Sequence, residues 1–324
     1  MKIEIYADET KFTSSDGKHY MGIGCLFVPI SKKIKLAEEL SNLRCLNDDS
    51  DDKWEWNFND CKIQCKEHYH KLNNTELHHT DLIHSASNPK KKISERWLNF
   101  LMDNNRKNKG LIYFKILYLD LDLLDDNFFD DDEINAYNRF FRTVVKGSLN
   151  YFWKDSFISI KNIFHDYADN KIVHDYFPWH LSYKLNKLNS HFSFEKENIT
   201  FLDSNHKKNE DDLIYEANLI QFIDLILGAV TQILFRPSND SVKIEIDNTI
   251  FPLVKRLIKA PYNKNSSYHY HRKQDISIFP KEKIVKINDL FNNQIKMDGE
   301  FHRDIVIKEP MGSDINQSSL DKWF

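Results

Sequence analysis

Acidic residues at the ends of predicted strands and inside one apolar helix are the side chains best suited to chemistry in this sequence. Asp224 lies in residues 220–230, where Gln221 is the only other polar residue. A carboxylate in a buried helix costs several kcal/mol unless it is protonated, paired or bound to a cation. The first predicted strand ends in another acidic pair, Asp8-Glu9. Two costly carboxylate positions, far apart in sequence, favour a divalent metal site.

Further acidic residues fall where strands are predicted to end, which is where open α/β sheets collect their functional groups. Asp166 and Asp203 each end a predicted strand, and Glu76 lies on a short strand predicted over residues 75–83. An aspartate at a strand end is also an ordinary turn residue, and this alternative stays open for Asp203. Asp224 has no such alternative, because its helix is apolar on both sides.

The ligand type and the missing motifs together indicate the chemistry. Carboxylate oxygens without a glycine-rich phosphate loop suit Mg²⁺ or Mn²⁺ better than zinc. Such ions stabilise an in-line displacement at phosphorus and generate a hydroxide nucleophile. The sequence contains no Walker A, GxSxG, HExxH or GxGxxG motif, so nucleophilic serine or cysteine chemistry has no local support. Gln221, three residues before Asp224 on the same helical face, is predicted to orient it.

The four cysteines are too few for a disulfide scaffold in a chain of 324 residues. Cys61 and Cys65 lie one helical turn apart, and His68 and His70 follow. This set could hold zinc. The usual CxxC spacing is missing, however, and an ordinary reduced helix with surface histidines is the alternative.

Composition places the chain among folded globular proteins, with 41% apolar and 13% aromatic residues. It has no opening apolar run of signal-peptide length and no uninterrupted apolar stretch of membrane-spanning length, so we expect a cytoplasmic protein without membrane association. The net charge of −4 gives no global attraction to nucleic acid. Binding would therefore need a local basic patch. Its candidates, with ordinary surface charge as the alternative, are Lys207, Lys208, Arg272 and Lys273.

The order of predicted elements indicates the fold class. Residues 2–8 alternate between apolar and polar, Asp16-Gly17 supplies a turn, and residues 20–29 form an apolar strand, which together predict an N-terminal β-hairpin. Strands and helices then alternate, which predicts an α/β fold with a mixed sheet flanked by helices. Helices are predicted at 31–46, around Trp97, and at 133–153, 172–189, 211–235 and 248–259. Further strands are predicted at 111–121, 156–166, 199–203 and 268–280.

We expect one α/β domain over residues 1–290, because no clear linker interrupts the sequence before about residue 240. Within it, residues 47–74 are a polar insertion, and residues 237–290 form a peripheral C-terminal part. Residues 291–324 contain few apolar anchors and are predicted to be a loosely held tail.

Several segments resemble the family called domain of unknown function 3800. Residues 5–10, IYADET, resemble its opening Tyr-x-Asp-Glu-Ser, with Thr10 in place of the usual Ser. Residues 201–204, FLDS, and 221–229, QFIDLILGA, resemble a hydrophobic-x-Asp-Ser strand and a Gln-x-x-Asp-Leu-Ile-x-Gly-Ala helix. Residues 76–78, ELH, resemble its Glu-Leu-His strand, and residues 271–280, HRKQDISIFP, resemble its closing strand. The resemblance covers roughly residues 1–282.

This resemblance implies a ribonuclease-H-like fold, whose nucleases bind two metal ions through acidic residues on the first strand, a middle strand and a late helix. It makes four carboxylates the expected metal ligands and catalytic residues: Asp8, Asp166, Asp224 and Glu76. The insertion at 47–74 leaves Glu55 as an alternative to Glu76. Glu9 and Asp203 are expected to orient Lys or Arg side chains near the site.

The function favoured by the sequence is a metal-dependent nuclease acting on DNA or RNA through Mg²⁺ or Mn²⁺. The alternative is a non-catalytic binding protein that keeps the fold and meets a protein partner through Trp54, Trp56 and Phe58 of the insertion. A metal-dependent phosphatase or nucleotide hydrolase would use the same carboxylates. A role in bacterial defence against phage fits all three, and no residue specifies it. The sequence fits any oligomeric state.

Overall fold

A computed structural model describes residues 1–45, 76–82, 89–106, 110–124, 133–153, 156–166, 191–196, 198–205, 213–259 and 273–279. Several sequence predictions lie outside these ranges. They are the insertion at 47–74 with its aromatic residues and Glu55, the set from Cys61 to His70, the helix at 172–189 and the tail at 291–324. Their roles stay predictions.

The described strands form one mixed sheet, whose strands come from the chain between residues 2 and 279. The strands are β1 (Lys2–Thr13), β2 (His19–Pro29), β3 (Tyr113–Asp120), β4 (Ile158–Asp166), β5 (Phe192–Phe194), β6 (Thr200–Leu202) and β7 (Gln274–Phe279). Their order is β5-β4-β1-β2-β3-β7, and β6 also pairs with β4. Among these seven, β2 runs opposite to the other six. The carboxyl ends of β1, β4 and β6 therefore meet at one end of the sheet.

β1 and β2 form the predicted antiparallel pair, but β1 continues to Thr13, so Asp8 and Glu9 lie within the strand and not at its end as predicted. The two strands pair from Ile3 opposite Pro29 to Thr13 opposite His19. The turn between them places Gly17 at φ 82°, a conformation that glycine adopts without a Cβ clash. Along β1 successive side chains alternate between the two faces of the sheet. Asp8 and Glu9 therefore point to opposite faces.

Six described helices cover the sheet: α1 (Ile30–Asn42), α2 (Pro89–Arg106), α3 (Glu133–Phe152), α4 (Ile214–Phe235), α5 (Ser241–Asn248) and α6 (Phe251–Lys259). The apolar residues of α3 pack with Ile3 and Ile5 of β1 on one face. Those of α1, α2, α4 and α6 pack on the other face, with Tyr6 of β1. Tyr6 and Asp8 share a face by alternation, so Asp8 points toward α4. The predicted helix at 248–259 begins instead at Phe251, after α5.

The strand predicted over residues 75–83 is wrong. Residues 76–82 pair with no strand of the sheet, and His79–Asp81 form a single 3₁₀ turn. Short alternating sequences of this kind fit a strand, but here side chains of α4 bind the backbone N–H groups of Leu77 and His79. The backbone polar groups are thereby satisfied without a neighbouring strand. We call this stretch the 76–82 segment.

Two glycines on β2 bring α4 close to the sheet. A Cβ at Gly24 would lie 3.2 Å from Ile223 Cγ1, and a Cβ at Gly22 would lie 3.2 Å from Leu227 Cδ1. The helix occupies the space that side chains at these positions would take. This close approach brings Asp224 on α4 near Asp8, which pairs with Gly24.

α4 is also the most apolar helix of the described chain. By length and composition alone, Tyr215–Phe235 could cross a membrane, but 94% of its most apolar window is buried inside the protein. Burial of that extent is what the core helix of a soluble protein shows. We therefore assign α4 to the core that packs on β1 and β2.

Candidate active site

Four carboxylates from distant parts of the chain meet where β4 ends, beside the middle of β1. We call Asp8, Glu76, Asp166 and Asp224 the carboxylate cluster. Asp8 lies on β1, Asp166 ends β4, Asp224 is in the middle of α4, and Glu76 begins the 76–82 segment. All four are residues that the sequence resemblance selects as metal ligands. Their roles stay predictions, but the structure brings the four side chains together.

Ser204 joins two members of the cluster. Its backbone N–H donates to Asp166 Oδ1 at 3.1 Å. Its hydroxyl lies 3.2 Å from Asp166 Oδ2 and 3.1 Å from Glu76 Oε1. A hydroxyl has one hydrogen and can donate to only one of these carboxylates at a time. The second contact is favourable only when one carboxyl carries a proton or when a cation lies near.

His78 joins two members as well. Its Nδ1 lies 3.1 Å from Asp224 Oδ2, and its Nε2 lies 2.8 Å from Glu76 Oε1. An imidazole that faces carboxylates with both nitrogens is held as the doubly protonated cation. The hydrogen bond to Asp224, with the nearby charge of Glu76, raises the pKa of His78 to about 9 against the opposing effect of burial. His78 therefore supplies one positive charge inside the cluster.

The negative charges of the cluster repel one another. Burial, followed by the charges of Asp224 and Asp166, raises the pKa of Asp8 well above its ordinary value. Burial also raises the pKa of Asp166, although His78 and Ser204 act in the opposite direction. A raised pKa means that the folded protein resists the full ionisation of these groups. A cation bound among them would remove that resistance.

Gln221 fixes the surroundings of the cluster from α4. Its side-chain oxygen accepts from the backbone N–H of Leu77 at 3.1 Å and from the buried guanidinium of Arg44. Its amide nitrogen donates to the carbonyl oxygen of Ser204. The sequence predicts that Gln221 orients Asp224. In the structure its amide instead holds the two segments that carry Glu76 and Ser204.

Glu9 lies behind the cluster, on the α3 face of the sheet. One of its carboxylate oxygens is buried without a hydrogen-bond partner and lies 3.5 Å from His165 Nε2. The hydroxyl of Tyr137 donates to the same nitrogen, while His165 Nδ1 donates to the Asp166 carbonyl at 2.9 Å. Burial, with the charge of Asp166, raises the pKa of Glu9 to about 8. Burial also lowers the pKa of His165, which is held neutral.

Asp203 has a turn role in the structure. Its side chain accepts from the backbone N–H of Asn205 at 2.9 Å, directly after β6. This is the local bond that aspartate commonly makes to a residue two positions later. The turn also sets the direction of Ser204. Asp203 therefore shapes the loop that carries a residue of the site.

Of the predicted phosphate-binding residues, Lys273 is the one in the described part of the chain. Lys207, Lys208 and Arg272 lie outside the described residues. Lys273 precedes β7, three residues before Ile276, which is in register with Asp8 through β2 and β3. Three strand spacings and three residue rises separate Lys273 from Asp8 by about 17 Å. The structure thus places Lys273 at the other end of the sheet.

The donor set suits a hard divalent ion, since all four members of the cluster offer carboxylate oxygens. Within the described residues, no group of three or more His, Cys, Asp or Glu side chains is arranged to hold a metal. Ser204 contacts both oxygens of Asp166, and His78 contacts Glu76 and Asp224. In the same described part, Asp8 Oδ2 and Asp224 Oδ1 accept no hydrogen bond. Both oxygens can therefore accept a further contact.

Sequence reasoning missed three residues that the geometry brings forward: His78, His79 and Ser204. Two of them stand inside the stretches that carry the family resemblance, in Glu76-Leu77-His78 and in residues 201–204. The resemblance therefore pointed to His78 and Ser204 as well, but only the neighbouring acidic residues were interpreted as functional. His79 had no such signal, because its partners lie on α4 and α5.

No protein-family model, no curated protein and no solved structure matches this chain. The resemblance to the domain of unknown function 3800 family therefore stays a prediction made from the residues themselves.

Proposed function

We propose that the protein is a metal-dependent nuclease, hydrolysing phosphodiester bonds of DNA or RNA at the carboxylate cluster. The observation that supports this most directly is the convergence of four carboxylates from separate elements on one end of the sheet. Burial, together with their mutual repulsion, raises the pKa values of Asp8 and Asp166. Stable folds avoid such repulsion unless function requires the site, so strongly perturbed groups that cluster in this way favour a functional role.

In this proposal Asp8, Asp166, Asp224 and Glu76 would hold a Mg²⁺ or Mn²⁺ ion. The ion would supply positive charge for a phosphoryl oxygen and a water of lowered pKa. The protein contributes the rest. Ser204 orients Asp166 and Glu76, and the backbone N–H of Glu9 fixes Asp8 Oδ1 at 2.8 Å.

The fold part of the proposal is a ribonuclease-H-like arrangement in a cytoplasmic protein. The resemblance implies acidic residues on the first strand, a middle strand and a late helix. Asp8 on β1, Asp166 on β4 and Asp224 on α4 fit that description. Nucleic acid is the expected substrate, and the negative net charge means that its binding depends on a local basic surface.

The proposal is tested with purified protein stripped of metal by EDTA and then supplied with Mg²⁺ or Mn²⁺. Single- and double-stranded DNA, RNA and an RNA–DNA hybrid are offered with each metal. We expect cleavage of at least one, and its loss in Asp8→Asn and in Asp224→Asn. Asp275→Asn is the matched control, because Asp275 lies on the edge strand β7, away from the cluster, and bonds Lys115 of β3.

Mn²⁺ binding gives a readout that does not need the right substrate. Mn²⁺ at about 100 times its Kd should stabilise the wild type by about 2.7 kcal/mol, whereas the two site variants should gain much less. Cleavage of free nucleotides but not of polymers would reassign the site to a nucleotide hydrolase. If the wild type neither cleaves nor gains stability with Mn²⁺, the proposed function is wrong.

A further inference from the structure

The 76–82 segment carries two residues of the site, yet it belongs to neither the sheet nor a long helix. Its position relative to α4 must therefore come from side-chain contacts. One contact lies directly at the cluster, where the backbone N–H of His79 donates to Asp224 Oδ2 at 3.1 Å. Contacts that hold the His79 backbone in place therefore also hold the side chain of the preceding residue, His78, against Asp224.

The His79 ring packs directly against Gly228 of α4. A Cβ built at Gly228 would overlap the Cβ, Cγ and Nδ1 atoms of His79. The helix conformation at Gly228 does not require glycine, and alanine is the better helix former by about 1 kcal/mol. The missing side chain therefore makes room for the ring.

The ring is held at its other end by α5. His79 Nε2 lies 3.1 and 3.0 Å from the two oxygens of Asp247, which is 1% exposed. One turn earlier on the same helical face, Lys243 donates from Nζ to the Thr80 carbonyl at 3.1 Å. The same face of α5 thus holds two successive residues of the segment.

Local hydrogen bonds connect the two helices that hold the ring. The side chain of Gln232 near the end of α4 bonds both the carbonyl and the N–H of Ser238. Asp240 then begins α5 by accepting from the backbone N–H groups of Val242 and Lys243. None of these bonds involves the 76–82 segment.

We propose that His79 is a positioning residue, whose ring is locked between Gly228 and Asp247 so that Glu76 and His78 are held at the carboxylate cluster. None of the three lock residues belongs to the cluster. The consequence for metal binding rests on the proposed function, whereas the lock itself does not. Residues that orient ligands in this way commonly change metal affinity by roughly 10- to 100-fold when they are removed.

The test replaces Gly228 by alanine, which leaves every carboxylate unchanged. We expect the His79 amide, followed by NMR in deuterated protein, to exchange at least ten times faster than in the wild type. Mn²⁺ affinity should fall by roughly 10- to 100-fold. Gly147→Ala in α3 is the matched control, because a Cβ there meets nothing within 4 Å.

A double variant separates the ring clash from any other effect of alanine. In His79→Ala the ring is absent, so adding Gly228→Ala should change neither amide exchange nor Mn²⁺ affinity further. At Asp247, asparagine keeps an acceptor for the ring and should retain most Mn²⁺ affinity, whereas leucine should not. A general loss of stability would not make the effect of Gly228→Ala depend on the His79 ring, and it would not separate asparagine from leucine at Asp247.

Each outcome bears on one claim. If the wild type binds no Mn²⁺, the proposed function fails, and amide exchange still decides whether the lock exists. If Gly228→Ala leaves the His79 amide protected, the lock is overturned. If the amide is released while Mn²⁺ binds as tightly as before, the lock exists but does not position the site, and the inference is wrong.

Discussion

Replacing Glu9 by glutamine should make the metal-free protein more stable, and increasingly so as the pH rises. Glu9 has a buried oxygen without a hydrogen-bond partner, and its side chain is 14% exposed. Glutamine keeps the size of the side chain but cannot ionise. The substitution therefore removes a charge that the folded protein accommodates poorly, with little change in packing.

The magnitude follows from the pKa of Glu9, which rises from its ordinary 4.5 to about 8 on folding. Below pH 4.5 both states hold the proton, and the group has no effect on stability. As the pH rises from 4.5 to 8, the unfolded chain loses the proton first, so the folded state loses stability. At about 1.4 kcal/mol per pKa unit, the loss is at most about 5 kcal/mol above pH 8.

The assay is urea unfolding of both proteins in EDTA at pH 4.5, 7 and 9. We expect equal free energies of unfolding at pH 4.5 and a gap in favour of Glu9→Gln that widens to several kcal/mol at pH 9. Glu245→Gln is the control. Its side chain is 67% exposed beside Lys91, so the variant should differ little from the wild type at any pH.

A constant gap at all three pH values would refute this reasoning, because a packing effect of glutamine does not depend on proton binding. So would a gap that shrinks as the pH rises. Added Mn²⁺ should narrow the gap at pH 9, since a cation in the nearby carboxylate cluster also favours the ionised form of Glu9.

The remaining predictions concern the packing of α4 on the sheet. Gly22→Ala should destabilise the protein by roughly 1–3 kcal/mol, because its Cβ would lie 2.9 Å from the buried Tyr118 ring and 3.0 Å from Thr10 Cγ2. Thermal unfolding measures this change, and an unaltered Tm would contradict the close packing. Tyr118→Phe should cost about 1 kcal/mol in urea unfolding, because the phenol bonds Thr231 Oγ1 at 2.9 Å and the Leu227 carbonyl. Equal stability of this variant would mean that those bonds contribute nothing net.

Long periodic stretches of the sequence predicted their elements well. The alternation in residues 2–8 and the apolar run from Tyr20 became β1 and β2, and the run at 211–235 became α4. The patterns are clear because each of these elements buries one face or its whole surface, which requires apolar residues at regular positions. The sheet order was not predictable in the same way. It depends on which strands pair, and β7 joins β3 across more than 150 residues of chain.

The site was predictable where a residue type conflicted with its surroundings. Asp224 in an apolar helix and Asp8 in an otherwise apolar strand could be found from the sequence, because buried carboxylates are costly. The alternation along β1 also implies that Glu9 faces away from Asp8. The 76–82 segment was not predictable, because its backbone is satisfied by Gln221 and Asp224, which lie far away in the sequence.

The polar residues of α4 are best understood as a docking face for the 76–82 segment. Gln221, Asp224 and Gly228 lie on the same face of α4 over about two turns, three and four residues apart. The side chain of Gln221 accepts a hydrogen bond from the Leu77 N–H. Asp224 accepts from the His79 N–H and from the His78 ring. Gly228 leaves room for the His79 ring. Asp224 is therefore 15% exposed and bonded through one oxygen, which leaves its other oxygen uncommitted at the cluster. A buried aspartate, a glutamine and a glycine at this spacing thus indicate a docked segment as well as a metal ligand.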